Sequence, residues 1–83
     1  MAVRSTSLVA LGQSVRHFRE VRQLSQESLG FAAGLDRTYV GGIERGERNP
    51  TFESLSKLAR ALEVELSQIV QRAERQGAAG PRR

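Results

Sequence analysis

The segment Ser25-Gln26-Glu27-Ser28-Leu29-Gly30-Phe31-Ala32-Ala33-Gly34-Leu35-Asp36-Arg37-Thr38-Tyr39-Val40-Gly41-Gly42-Ile43-Glu44-Arg45-Gly46 contains two short helical patterns separated by a tight break. Ser25 offers a side-chain oxygen to the orphan amides of a first helix, and Glu27 places a carboxylate in its first turn, where the helix dipole favours it. Leu29, Ala32 and Ala33 continue an inner face until Gly34, a residue suited to the left-handed stop. Asp36 caps the next helix after only a Gly-Leu turn. That helix runs from Arg37 to about Arg45 with Val40 and Ile43 inward, and Gly46 closes it. Helix, short glycine-containing turn, helix is the helix-turn-helix signature, whose second helix enters the DNA major groove.

Helical spacing extends on both sides of this unit. Leu8, Leu11, Val15, Phe18 and Val21 recur at three and four residues, which predicts a helix over 8–22 with Arg16, Arg19, Glu20 and Arg22 on its polar side. Leu24 then turns toward the core. Downstream, Pro50 blocks continuation of the third helix, and Thr51 caps a fourth with Phe52, Leu55, Leu58, Ala59 and Leu62 on its apolar side. Leu66, Ile69 and Val70 mark a fifth helix over 65–75. The expectation is all-α: a compact five-helix bundle occupying 8–75, with a flexible N-terminus over 1–7 and a flexible tail over 76–83.

Eighty-three residues with 39% hydrophobic content form one domain with a modest core, which pairing with a second copy would supplement. The absence of cysteine rules out a disulfide framework and thiolate metal sites. No apolar run approaches the roughly 20 residues of a membrane helix, so a soluble intracellular protein, located in the cytoplasm, is expected. The net charge of +4 comes from arginine, Lys57 being the only lysine. Such a balance permits a polyanionic partner.

The runs Leu24-Ser25-Gln26-Glu27, Gly34-Leu35-Asp36-Arg37-Thr38-Tyr39 and Ile43-Glu44-Arg45-Gly46 resemble the lambda-repressor/Cro-like (XRE) helix-turn-helix family. Within it, Leu35-Asp36-Arg37-Thr38-Tyr39 and Arg45-Gly46-Glu47-Arg48-Asn49-Pro50 are similar to the controller proteins of restriction–modification systems. The resemblance implies a lambda-repressor-like DNA-binding domain acting as a homodimer on a duplex operator, with RNA polymerase as a further candidate partner. It implies no cofactor, metal, membrane or small-molecule ligand. Base readout falls to Arg37, Thr38 and Gly41. Gly41 and Gly42 are weak points inside a helix, and their missing side chains either let the backbone approach the groove closely or remove base contacts. Backbone or minor-groove contacts fall to Gln26, Tyr39, Arg45, Arg48 and Asn49. Arg19 and Glu44 match a structural ion pair between helices one and three. Val64, Leu66, Ile69 and Val70 are the candidate dimer surface. Glu63 stands where the family usually ends a helix with glycine, so the turn after helix four is expected to be less sharp.

Other readings of the same residues stay open. A phage-type repressor or a toxin–antitoxin regulator would share the fold, and a helical protein-interaction module could keep it without binding DNA. Catalysis finds little support. His17 is the only histidine and is expected on a solvated face, and Ser25, Asp36 and Thr51 are N-caps before they are nucleophiles. Phe18, Phe31 and Phe52 are expected in or beside the core.

Overall fold

The computed structural model describes residues 7–79. Five helices succeed one another: α1 (Leu8–Val21), α2 (Gln26–Ala33), α3 (Arg37–Glu44), α4 (Phe52–Leu62) and α5 (Leu66–Ala79). Each of the first four opens on a residue in extended conformation whose side chain accepts an orphan amide: Ser7 from Ala10, Ser25 from Ser28, Asp36 from Thr38 and Thr51 from Ser54. Ser7, expected in the flexible N-terminus, is instead the cap of α1. Residues 1–6 and 80–83 lie outside the described residues. Helix α5 runs on to Ala79, through 76–79 of the segment expected to be a tail.

The helix exits share one geometry. Gln23, Gly34, Gly46 and Glu63 all adopt positive φ, between 59° and 78°. Behind three of them comes an apolar residue whose amide reaches back to a carbonyl five residues earlier: Leu24 to Arg19 (3.1 Å), Leu35 to Gly30 (2.8 Å) and Val64 to Ala59 (3.0 Å). These are Schellman closures, in which the apolar residue after the left-handed one folds onto the helix just left. Leu24, Leu35 and Val64 accordingly pack against the core. The α4 exit is therefore as sharp as a glycine exit, contrary to expectation. Glu63 takes the left-handed conformation despite its Cβ, and its carboxylate receives a two-pronged contact from Arg22 at 3.1 and 3.2 Å.

Val15, Leu29, Ala33, Val40, Ile43, Leu58, Ala59, Leu62 and Ile69 form the buried core, drawing on all five helices. Helix α1 lies against α5 and α3, and α2 lies against α3 and α4. The α1–α3 approach is set by Gly12, where a Cβ would strike the carbonyl oxygens of Ile43 and Glu44. The buried Ser14 hydroxyl donates to the Ile69 carbonyl at 2.7 Å, tying α1 to α5.

Some apolar positions fall elsewhere than periodicity places them. Phe31 and Phe52 are 90% and 76% exposed, and Val21 is 65% exposed, while Ala32 is also exposed. Helical spacing identifies a stripe but not its width: α2 spends its inward positions on Leu29, Gly30 and Ala33. Ile69 is completely buried within the chain, so it belongs to the core and not to a surface that a second copy could cover.

Candidate nucleic-acid interface

Gly30 makes the close packing of the helix-turn-helix possible, since a Cβ there would lie 2.7 Å from the Leu35 carbonyl oxygen. Asp36 then starts α3 at the surface, its carboxylate accepting the Thr38 amide at 2.9 Å. Arg37 and Thr38 are exposed in the first turn, and Arg37 makes no ion pair among the described residues. Both are thus presented outward from the end of the recognition helix that reaches base edges in this motif. An open depression of about 360 Å³, lined by Arg19, Ser25, Gln26, Glu27 and Arg37, separates the starts of α2 and α3. Two helix N-termini, with their positive dipole ends, flank it.

Beneath this face lies a cluster of three side chains. Glu44, with 2% of its side chain exposed, accepts from Arg19 Nε at 2.6 Å and Arg19 Nη2 at 3.0 Å, and from Gln26 Nε2 at 2.9 Å. Arg19 Nη1 also donates to the Leu24 carbonyl at 2.7 Å, in the α1–α2 turn. The hydrogen bond to Glu44 raises the Arg19 pKa above its ordinary value. Burial opposes that rise, and the charges of Glu44 and Glu20 reinforce it. This cluster therefore ties α1, the α1–α2 turn, α2 and α3 together, and Arg19 and Glu44 form the ion pair that the resemblance implied.

The Gln26 amide, anticipated as a phosphate donor, spends one N–H on Glu44, which leaves its second N–H and the N-terminal amides of α2 for outside contacts. The Tyr39 hydroxyl, also anticipated as a phosphate donor, donates inward to Ser54 Oγ at 3.2 Å. Its half-buried ring instead carries the Arg48 guanidinium, 5.2 Å from the ring centroid, at a cation–π distance. Gly41 is buried: the place of a Cβ is bordered by Arg45 Nη1 at 3.1 Å and Gln26 Oε1 at 3.3 Å. Its backbone is covered by side chains and is not open to a base, which corrects its assignment to close backbone readout. Arg45, exposed, pairs with Glu47 at 3.0 Å, and Arg48 and Asn49 are exposed in the following loop.

Glu47 and Ser54 were not among the anticipated site residues. The Arg-Gly-Glu-Arg order hinted at the first. Nothing in the chain signalled the second, because Tyr39 and Ser54 meet only through the packing of α3 beside α4. Among the described residues, no three His, Asp or Glu side chains gather in a metal-binding group. No described helix is long and apolar enough to cross a membrane.

Fold and exposed face together define a helix-turn-helix DNA-binding domain. The helix-turn-helix family HTH_3 (XRE) matches residues 15–69, from α1 into α5. The chain belongs to this family and is a DNA-binding transcriptional regulator. It is 44% identical over 62 residues to the control protein C.SmaI of Serratia marcescens, spanning 75% of this chain and 74% of that one. With the control protein C.BamHI of Bacillus amyloliquefaciens it shares 44% identity over 55 residues, 65% of this chain and 68% of the relative. The crystal structure of the restriction-modification controller protein C.AhdI from Aeromonas hydrophila superposes with a TM-score of 0.74 at 50% identity, covering 75% of this chain and 94% of that one.

Proposed function

We propose that the chain is a restriction–modification controller: a homodimer that binds a pseudo-palindromic operator and regulates its own operon. The observation that carries this reading is the outward placement of Arg37 and Thr38 at the start of α3, with Arg45 and Arg48 at its other end. The similarity to control proteins over most of the chain supports the same reading. Arg37 has the planar fork that matches guanine O6 and N7, and Thr38 can meet a base edge or a thymine methyl. Arg45, Arg48 and Asn49 follow the strand, and Gln26 and the α2 amides face a phosphate.

One domain of this size makes few base contacts. Two domains on half-sites about one helical turn apart multiply them. Val64, Leu66 and Val70, each half-buried, are the residues we assign to the dimer surface. Occupancy that depends on dimer formation is steep in protein concentration, which suits an autoregulator. RNA polymerase at the same promoter is the partner through which such a regulator would act.

Footprinting on the DNA upstream of the protein's own gene tests the reading. Two protected half-sites about one turn apart are expected. Absence of protection there, or a monomer in sedimentation that operator DNA leaves monomeric, would contradict it.

A further inference from the structure

Gly12, Gly30 and Gly42, all within helices, fill two different roles, which their neighbours reveal. At Gly12 and Gly30 a Cβ would meet backbone carbonyls, so those glycines serve the packing of one helix on another. At Gly42 the three nearest atoms all belong to one exposed side chain, that of Arg48: a Cβ would strike Cγ and would lie 3.5 Å from Cδ and 3.6 Å from Cβ. No backbone or core atom comes closer, so the packing of the bundle does not call for glycine here. Ala would even be the better helix former at an interior position.

We infer that Gly42 is a positioning residue for DNA binding: its missing side chain is the seat that lays Arg48 across the recognition helix and onto Tyr39. The inference rests on the duplex-binding reading above. Three contacts fix the arm in order along its length. The Arg48 amide donates to the Gly42 carbonyl at 3.2 Å, the stem fills the place that a Gly42 Cβ would take, and the guanidinium sits 5.2 Å from the Tyr39 ring centroid. Tyr39 is itself held by its hydrogen bond to Ser54, whose amide donates to the Thr51 cap at 3.0 Å. A loop arginine, ordinarily rich in rotamers, is thereby ordered before DNA arrives, so less freedom is lost on binding. Gly42 thus acts through Arg48 and needs no contact with DNA of its own.

The test combines Gly42→Ala, Arg48→Ala and the double variant, read in the free protein and on duplex DNA. In the free protein, ring current from Tyr39 should displace the Arg48 side-chain proton resonances, and Gly42→Ala should abolish the displacement while the melting temperature holds or rises. On operator DNA, Gly42→Ala and Arg48→Ala should each weaken binding by about tenfold, the worth of one charge-assisted contact. The double variant should be no weaker than Arg48→Ala alone. If Gly42→Ala costs the same factor in the Arg48→Ala background, or binds as tightly as the parent, the inference is overturned. Absence of the ring-current displacement in the parent overturns it as well. Should Gly42→Ala fail to fold, the double variant, which removes the obstructing stem, must fold and bind like Arg48→Ala, or the inference fails. If the parent binds no duplex at all, the functional reading falls and the seat is judged by the resonances alone.

Discussion

The turn between α2 and α3 and the turn between α4 and α5 are built to one plan, yet only the first feeds a recognition helix. Gly34-Leu35-Asp36 and Glu63-Val64-Glu65 each place a left-handed residue, then an apolar residue folded back on the core, then the residue before a new helix. In the first, Asp36 caps with its carboxylate; in the second, Gln68 Oε1 reaches back to the Glu65 amide at 2.8 Å. Gln23-Leu24-Ser25 repeats the plan between α1 and α2. Turn geometry alone therefore does not make a DNA reader. The difference lies in the helix that each turn delivers: α3 starts with exposed Arg37 and Thr38 over an ion-paired floor, whereas α5 starts with the half-buried Leu66.

Loss of the ion-paired floor under α3 should have the largest effect. Glu44→Ala strands the Arg19 charge with most of its side chain covered, and breaking a buried pair in this way costs about 3–5 kcal/mol. That is a large part of the stability of a domain this small, so denaturant unfolding should show a much lower midpoint. A shift smaller than about 1 kcal/mol would mean that water replaces Glu44 at no great cost.

At the α3 start, Arg37→Ala should remove discrimination at one base pair, by about 1–3 kcal/mol, while the fold persists. Affinities for a panel of single-base operator variants check this. Uniform weakening across the panel would place Arg37 on phosphate instead.

The turns themselves differ more subtly. A Cβ at Gly34 would meet nothing within 4 Å, so Gly34→Ala isolates backbone strain and should cost about 1–2 kcal/mol in thermal or denaturant unfolding. An unchanged stability would show that the left-handed stop tolerates a side chain there. Glu63→Gly should have the smallest effect. It relieves comparable strain but gives up the exposed Arg22 pair, worth about 0–1 kcal/mol, and the flexibility of glycine in the unfolded chain offsets part of the gain. Net stability should therefore move by less than about 1 kcal/mol, and a larger loss would show that the ion pair governs this turn.

The elements that the sequence made legible are those written in local chemistry. Ser25, Asp36 and Thr51 each cap a helix start, and Gly34 and Gly46 each come just past a helix end. The Arg19–Glu44 pair joins distant segments, and only the family resemblance implied it. What escaped depends on contacts between distant segments. Glu63 adopts a conformation normally left to glycine, and only the tertiary placement of Arg22 and Val64 shows what accompanies it. Spacing put Phe52 on the apolar side of α4 and aromatic character put Phe31 in or beside the core, and neither signal tells on which side of the stripe's edge a residue lies. The inward hydrogen bonds of Gln26 and Tyr39 could not be read, since Glu44 and Ser54 reach them only after the helices pack. Gly41 and Gly42, puzzling as weak points in a helix, become intelligible once Arg45 and Arg48 are seen lying beside them.

The α3 face, with its arginines, is proposed as a surface for duplex DNA. Its most direct test is the affinity of the intact chain for its footprinted operator as salt is raised from about 50 to about 200 mM. Each phosphate contacted should contribute about −0.9 to the slope of log affinity against log salt, so a steep fall is expected. A flat response would contradict a duplex-binding surface, and equal affinity for operator and scrambled duplex would contradict its reading of sequence.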